Sequence, residues 1–298
     1  MEGPPGLSGR TKISAIFGDP VEHSLSPAMH NAAYAALGME RAYAAFHVTP
    51  ERLKEAVHAI PALGILGVNL TVPHKERAAR MMVSLSEEAR ALGAINCIVN
   101  RASGLHGDNT DARGLEMDLR DIGVELRGET TVIIGAGGAA ASAIVACMRL
   151  GAKQIIVSNR TEARAKALAR RFTNLAAPRV RSRDVSIEAR GLDILVDRAT
   201  LASAAVIVNA TPMGLKTGGF ARLDYDATRA ECVFYDLIYA AEPTPFLKPA
   251  RELGRRAADG AGMLVNQGVL AFELFNRVAP PDGVMRRALM ERLGRPFP

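Results

Sequence analysis

The tightest constraint in the chain lies at residues 130–150. Thr130 to Ile134 is a short run of β-branched and apolar residues. Gly135-Ala136-Gly137-Gly138-Ala139-Ala140 follows at once, and Ala139 to Leu150 is a stretch of small and aliphatic residues. A strand that breaks into a glycine-rich turn and then opens a helix is the context in which G-x-G-x-x-A acts as a dinucleotide fingerprint. Gly135 permits the tight turn. Gly137 lets the backbone approach a pyrophosphate, and the small Ala140 allows close helix packing, with the helix N-terminus facing the anion. Ala136, Gly138 and Ala139 complete the loop. The competing reading is a plain strand–helix turn with no ligand.

The flanking pattern extends that unit. Gln154 to Ser158 predicts the next strand and Glu162 to Phe172 a helix, with further strands at Val206 to Asn209 and Val233 to Leu237. This is the rhythm of a doubly wound parallel sheet. Upstream, Ile13 to Phe17 reads as a strand ending in the turn Gly18-Asp19-Pro20. A helix follows Ser26-Pro27, with Ser26 as its N-cap. Ala42 to Val48 and Gly67 to Val72 read as strands, and Glu51 to Ala59 and Glu87 to Leu92 as helices. Ala94 to Asn100 and the segment near His106 form a hairpin around Ser103-Gly104. Asp111 to Asp121 is a connecting helix. Met263 to Asn276 is a strongly apolar helix, followed by Pro280-Pro281 and a last helix. The expected fold is α/β with two domains. Residues 1–111 with 261–298 would bind substrate, and 112–260 would form a Rossmann-type domain, with the site in the cleft between them. A length of 298 residues suits two modest domains or one large one.

The second strand of the dinucleotide unit ends at Ser158-Asn159-Arg160-Thr161. An NAD site would place an Asp or Glu here to accept from the ribose 2′-hydroxyl. Arg160, Thr161 and Arg164 stand there instead. Guanidiniums suit a 2′-phosphate, which a carboxylate would repel. The expected cofactor is therefore NADP. The alternative is that Arg164 is an ordinary solvated helix residue.

Three polar clusters remain in the first half: His23-Ser24-Leu25-Ser26-Pro27, Asn69-Leu70-Thr71-Val72-Pro73-His74-Lys75, and Asn96 through Gly107-Asp108-Asn109-Thr110-Asp111. Each falls at a strand end or helix start, where α/β proteins bind ligands. Hydroxyls, amides, one lysine and one aspartate suit a polyhydroxylated ligand with a carboxylate. Taken singly, Lys75 could open a helix, Asp111 could cap one, and Gln267 could be a satisfied core amide.

Together these segments make the chain resemble the shikimate dehydrogenase family. The patterns S-x-S-P-x-x-H-N, N-x-T-x-P-x-K, G-A-x-N, N-T-D-x-x-G, G-A-G-G-A, N-R-T-x-x-R, N-A-T-P-x-G and G-M-L-V-x-Q occur in order, from Ser24 to Gln267. The resemblance implies reduction of 3-dehydroshikimate to shikimate by NADPH, with Lys75 and Asp111 as the catalytic pair. It implies Ser24, Ser26, Thr71, Asn96, Tyr239 and Gln267 around the substrate. For the cofactor it implies Gly135, Ala136, Gly137, Gly138, Ala139, Asn159, Arg160, Thr161, Arg164, Leu237 and Gly262, the last near the nicotinamide. Four positions depart from the family pattern. Cys97 replaces a usual Thr, Ala240 an Asn, Ala261 a Leu and Phe275 a Trp, which could reshape the pocket wall. The neighbouring readings are a quinate/shikimate or aminoshikimate dehydrogenase, a non-catalytic shikimate-binding paralogue, and a two-domain NADP enzyme acting on folates.

Other classes fit poorly. The formal charge of +6 comes from basic residues interleaved with acids, the densest patch being Arg181 to Arg183, so no nucleic-acid partner is expected. A mild positive field would instead draw anionic ligands. Cys97, Cys147 and Cys232 make no CxxC, and the six histidines show no ligand spacing, so no metal is expected. No nucleophile elbow surrounds Ser24 or Ser26. Met1 to Arg10 reads as a loose tail rather than a signal peptide, and no run is apolar enough to span a bilayer. The expectation is a cytoplasmic monomer or homodimer.

Overall fold

The computed structural model describes residues 7–174, 185–214 and 219–297. The first six residues of the tail and the Arg181 to Arg183 patch lie outside the described residues. The chain divides into two compact units, Met1–Gly114 with Leu264–Pro298, and Leu115–Met263.

The first unit contains β1 (Lys12–Gly18), α1 (Ser26–Ala36), β2 (Arg41–His47), α2 (Leu53–Ala62), β3 (Gly67–Leu70), α3 (Lys75–Ala79), β4 (Ser84–Leu85), α4 (Glu87–Leu92), β5 (Cys97–Arg101), β6 (Gly104–Asp108) and the start of α5 (Asp111–Asp121). Its sheet has the order β2-β1-β3-β5-β6-β4. β1 pairs in parallel with β2 and β3, while β5 is antiparallel to both β3 and β6. One face buries Ala15, Phe17, Val68, Leu70 and Ile98 against Leu53, Val57 and Ile60 of α2 and Ala78 of α3. Removing a Val, Leu, Ile or Phe side chain from water supplies ~1.5–3 kcal/mol. On the other face the Tyr34 hydroxyl of α1 meets Ser14 at 3.1 Å.

The second unit continues with β7 (Thr130–Ile134), α6 (Gly138–Arg149), β8 (Gln154–Ser158), α7 (Glu162–Thr173), β9 (Ser186–Arg190), α8 (Arg198–Ser203), β10 (Ala204–Asn209), β11 (Val233–Asp236), α9 (Leu247–Glu252) and β12 (Arg256–Asp259). Two helices follow: α10 (Ala261–Asn276), which begins in this unit and ends in the first, and α11 (Val284–Leu293). The strand order β12-β11-β10-β7-β8-β9 is parallel throughout and reverses about β7, the doubly wound pattern. Nearly all of α6 is buried, which its run of alanines makes possible by keeping helix and sheet close. No helix among the described residues is long and apolar enough to cross a membrane.

Several boundaries differ from the sequence reading. Ser26 is not the N-cap of α1: Leu25 occupies that position, without a side-chain cap, and Ser26 is already helical. Ser24 takes the local role, its Oγ accepting from the Ser26 amide at 3.4 Å. Ser86 does cap α4, accepting from the Ala89 amide at 3.1 Å, and Gly93 closes that helix with φ 56°. α2 runs on to Ala62, past Pro61, and the strand begun at Gly67 stops at Leu70. The edge strands β9 and β12 escape the sequence pattern because they are short, half-exposed and carry charges.

Candidate active site

Lys75 is the first residue of α3, just after the segment that leaves β3. Its neighbour His74 is fully buried, with Nε2 2.7 Å from the Val48 carbonyl, and the Ile95 amide donates to the Lys75 carbonyl at 3.0 Å. The backbone at Lys75 is thereby anchored on both sides. Lys75 Nζ donates to Asp111 Oδ2 at 2.6 Å, with side chains 31% and 13% exposed. Asp111 opens α5, and its amide donates to Asn109 Oδ1 at 3.0 Å.

Asn96 organises this pair. It is 2% exposed, and the two N–H groups of its Nδ2 donate to Asp111 Oδ1 at 2.7 Å and to Thr110 Oγ1 at 2.9 Å, with Gln267 Oε1 3.5 Å from the same nitrogen. Its Oδ1 accepts from the Thr110 amide at 2.8 Å. Thr110 Oγ1 donates to the Gln267 carbonyl at 3.1 Å, and Gln267 Nε2 donates to the Leu264 carbonyl at 2.8 Å. Gln267 is thus partly a satisfied core amide and partly a member of the cluster. Gly114 makes this approach possible: a Cβ there would lie 2.7 Å from the Gln267 amide nitrogen, so only glycine lets α5 close on α10.

Behind the cluster runs a further polar chain. Asn69 Nδ2 donates to the Asn96 carbonyl and to Cys97 Sγ, both at 3.2 Å. Tyr43 donates to Asn69 Oδ1 at 2.7 Å, and His30 stacks on Tyr43 with ring centroids 4.1 Å apart. Burial holds His30 neutral by lowering its pKa to about 3. Burial also raises the Cys97 thiol well above its ordinary range, so Cys97 is a packing residue and an acceptor for Asn69. Arg113 bridges Asp108 at 3.1 Å and Glu88 at 3.4 Å and so braces the turn that carries Asn109. Phe275 covers Gly67, where a Cβ would lie 2.1 Å from its ring.

The structure joins Lys75, Asn96, Asp111 and Gln267 into one network. Among the described residues, no hydrogen bond links Ser24, Ser26 or Thr71 to it. Ser26 is 5% exposed on α1, which reaches α10 through Met29 and His30 at Gly268. Tyr239 lies in the second unit, after β11, its hydroxyl pKa raised by burial. Thr110, Tyr43 and Gly114 are the contributors the sequence reading did not single out. Thr110 and Gly114 stand inside the quoted N-T-D-x-x-G motif, which was the available signal.

In the second unit the glycine-rich turn has the shape that its residues predict. Gly135 adopts φ +124°, and a Cβ there would lie 2.8 Å from the Ala210 carbonyl oxygen. Gly137 caps α6, and added Cβ atoms at Gly137 and Gly138 would meet nothing within 4 Å. The backbone at Gly137 and Gly138, at the helix N-terminus, is therefore open to the approach of an anion. The exposed residues Arg160, Thr161 and Arg164 follow β8, and Asn159 Nδ2 closes their turn on the Thr161 carbonyl at 2.9 Å. This set of donors fits a dinucleotide with a 2′-phosphate.

The neighbouring strand ends are held by buried groups. Asp236 accepts from Asn209 Nδ2 at 2.9 Å, the Ile238 amide at 3.1 Å and Thr244 Oγ1 at 2.5 Å. Burial raises its pKa to about 6, with these hydrogen bonds working against the rise. The Leu237 amide donates to the Asn209 carbonyl at 2.9 Å. Gly262 packs on Asp118, where a Cβ would lie 1.8 Å from Oδ1, and the Tyr235 hydroxyl donates to the same carboxylate.

A doubly wound sheet with an open glycine turn, and a separate lysine–aspartate–amide cluster, define a nicotinamide-dependent oxidoreductase of small polar substrates. Residues 16–98 match the shikimate dehydrogenase substrate binding domain, 118–216 the shikimate/quinate 5-dehydrogenase family, and 260–290 the shikimate 5′-dehydrogenase C-terminal domain. The shikimate dehydrogenase (NADP(+)) of Symbiobacterium thermophilum is 41% identical over 292 residues, covering 97% of each chain. A Thermus thermophilus shikimate 5-dehydrogenase structure in complex with NADP(H) and shikimate has a TM-score of 0.81 at 33% identity, covering 95% of this chain and 99% of that one. One from Listeria monocytogenes with shikimate and NAD has a TM-score of 0.86 at 30% identity, covering 95% and 98%. The chain belongs to the shikimate dehydrogenase (NADP+) family.

Proposed function

We propose that this chain reduces 3-dehydroshikimate to shikimate with NADPH, and that Lys75 and Asp111 act as its catalytic pair. The observation that carries this reading is the 2.6 Å contact between them, held in place by Asn96. Hydride arrives from the nicotinamide, which supplies that chemistry when bound. The protein must then stabilise and protonate the oxygen of the former ketone. An ammonium has three N–H donors; with one directed at Asp111, two remain for that oxygen. Asp111, its second oxygen tied to Asn96, keeps the ammonium aimed. Acid–base assistance of this kind is worth about 10²–10⁴ in rate.

Asn96 and Gln267 offer amides to substrate hydroxyls beside the pair, and Ser24, Ser26 and Thr71 offer hydroxyls for the carboxylate, with Tyr239 lining the pocket. Arg160, Thr161 and Arg164 grip the 2′-phosphate, while Gly135 to Ala139, Asn159, Leu237 and Gly262 shape the rest of the cofactor site. The substrate-binding part is residues 1–111 with 261–298. The test is turnover of shikimate and quinate, each with NADP⁺ and NAD⁺, followed at the reduced-nicotinamide absorbance. Preferred use of shikimate and NADP⁺ is expected. Turnover of quinate alone, or equal use of NAD⁺, would contradict the assignment.

A further inference from the structure

β9 is the edge strand of the parallel sheet, and its last residue, Arg190, lies in register with Ser158, the last residue of β8. The two strand ends are stitched together. The Asn159 amide donates to the Arg190 carbonyl at 3.2 Å, and Ser158 Oγ donates to the Gly191 carbonyl at 2.7 Å. Arg190 therefore leaves the sheet beside the Asn159-Arg160-Thr161 turn, at the carboxyl edge where doubly wound sheets take ligands.

The arginine makes no short ion pair among the described residues, though its charge adds to the Thr200 hydrogen bond in lowering the Asp197 pKa. Its side chain is 55% exposed, and its contact with Glu188 is long, at 3.7 Å. The other oxygen of that carboxylate accepts from Gln154 Nε2 at 2.8 Å, so Glu188 is anchored down the strand. The same rim also carries acids. A Cβ at Gly191 would meet Asp193 Oδ1 at 2.6 Å and Glu162 Oε2 at 4.0 Å. A doubly charged phosphate next to those carboxylates needs more compensation than a neutral ribose hydroxyl would.

We propose that Arg190 is a third cation of the 2′-phosphate site, reaching from the neighbouring strand toward the ligand held by Arg160 and Arg164, and thereby a determinant of NADP over NAD. This rests on the assignment of the Asn159–Arg164 turn to the 2′-phosphate made above. It adds to that assignment a residue some thirty positions away, outside the recognised motif.

The test is the dissociation constant for NADP⁺ and NAD⁺ by isothermal titration calorimetry, on the full-length protein and on Arg190→Ala, Arg190→Lys and Arg160→Ala. Arg190→Ala should weaken NADP⁺ about fivefold and leave NAD⁺ almost unchanged, with Arg190→Lys between it and the parent. Equal weakening of both cofactors, or no effect on NADP⁺, overturns the proposal however Arg160→Ala behaves. An Arg160→Ala protein with unchanged NADP⁺ affinity overturns the assignment of the turn instead. Should Arg190→Ala fail to fold, Arg190→Gln gives the same readout.

Discussion

The lysine–aspartate cluster of the first unit and the glycine turn of the second are built from opposite materials. Around Lys75 the polar groups are side chains, and each is held by another: Lys75 by Asp111, Asp111 by Asn96, Asn96 by Thr110 with Gln267 close by. Around Gly135 the surface is backbone, open at Gly137 and Gly138, with exposed cations after β8. A side-chain network can lose one member while the fold persists. A turn whose shape depends on φ +124° cannot accept a side chain without strain. The two regions should therefore fail in different ways.

The largest expected effect is on the first. Lys75→Ala should lower kcat by about 10³ and shift the melting temperature little, since the lysine head group is not part of the core. A comparable loss of thermal stability would erase the contrast. The second effect is pH-dependent and belongs to the other unit. Asp236 has a folded pKa of about 6, above its ordinary value of 3.8. Its protonated form is favoured by folding, so its contribution is full below pH ~4 and is lost as pH rises through ~6, by on the order of 2–3 kcal/mol. Chemical denaturation at several pH values should show Asp236→Asn flattening this part of the profile. His30 works in the opposite sense: its folded pKa of about 3 makes its contribution present above pH ~6.5 and lost on acidification. Comparing parent and variant at each pH isolates Asp236.

Next, Gly135→Ala should cost about 2 kcal/mol of stability, from the left-handed backbone and the Ala210 carbonyl, and weaken NADP⁺ binding. A variant as stable as the parent would show that the turn is not shape-limited. The smallest effect is at Ser26. Ser26→Ala should raise the KM for shikimate about fivefold with kcat nearly unchanged, as expected of one lost hydrogen bond. An unchanged KM would remove Ser26 from the substrate site.

The sequence was most legible where local pattern and burial agree. Thr130–Ile134, Gln154–Ser158 and Asp111–Asp121 can be delimited to the residue, because β-branched runs or amphipathic spacing end at clear breakers. The glycine turn was legible because its requirement is local. Edge strands β9 and β12 were not, since one open side relaxes the demand for apolar residues. The Ser26 cap was misread because Ser24 already serves the free amide beside Pro27. The supporting roles of Thr110, Gly114 and Tyr43 depend on contacts between distant segments, such as α5 on α10, which spacing along the chain does not encode.

The central claim is that Lys75 and Asp111 act as one unit. A double-mutant cycle on kcat, with Lys75→Ala, Asp111→Asn and the double variant, tests it directly. A coupled pair predicts that the double variant is no slower than the slower single one. Losses that multiply across the two substitutions would show that the two residues act independently and would contradict the account.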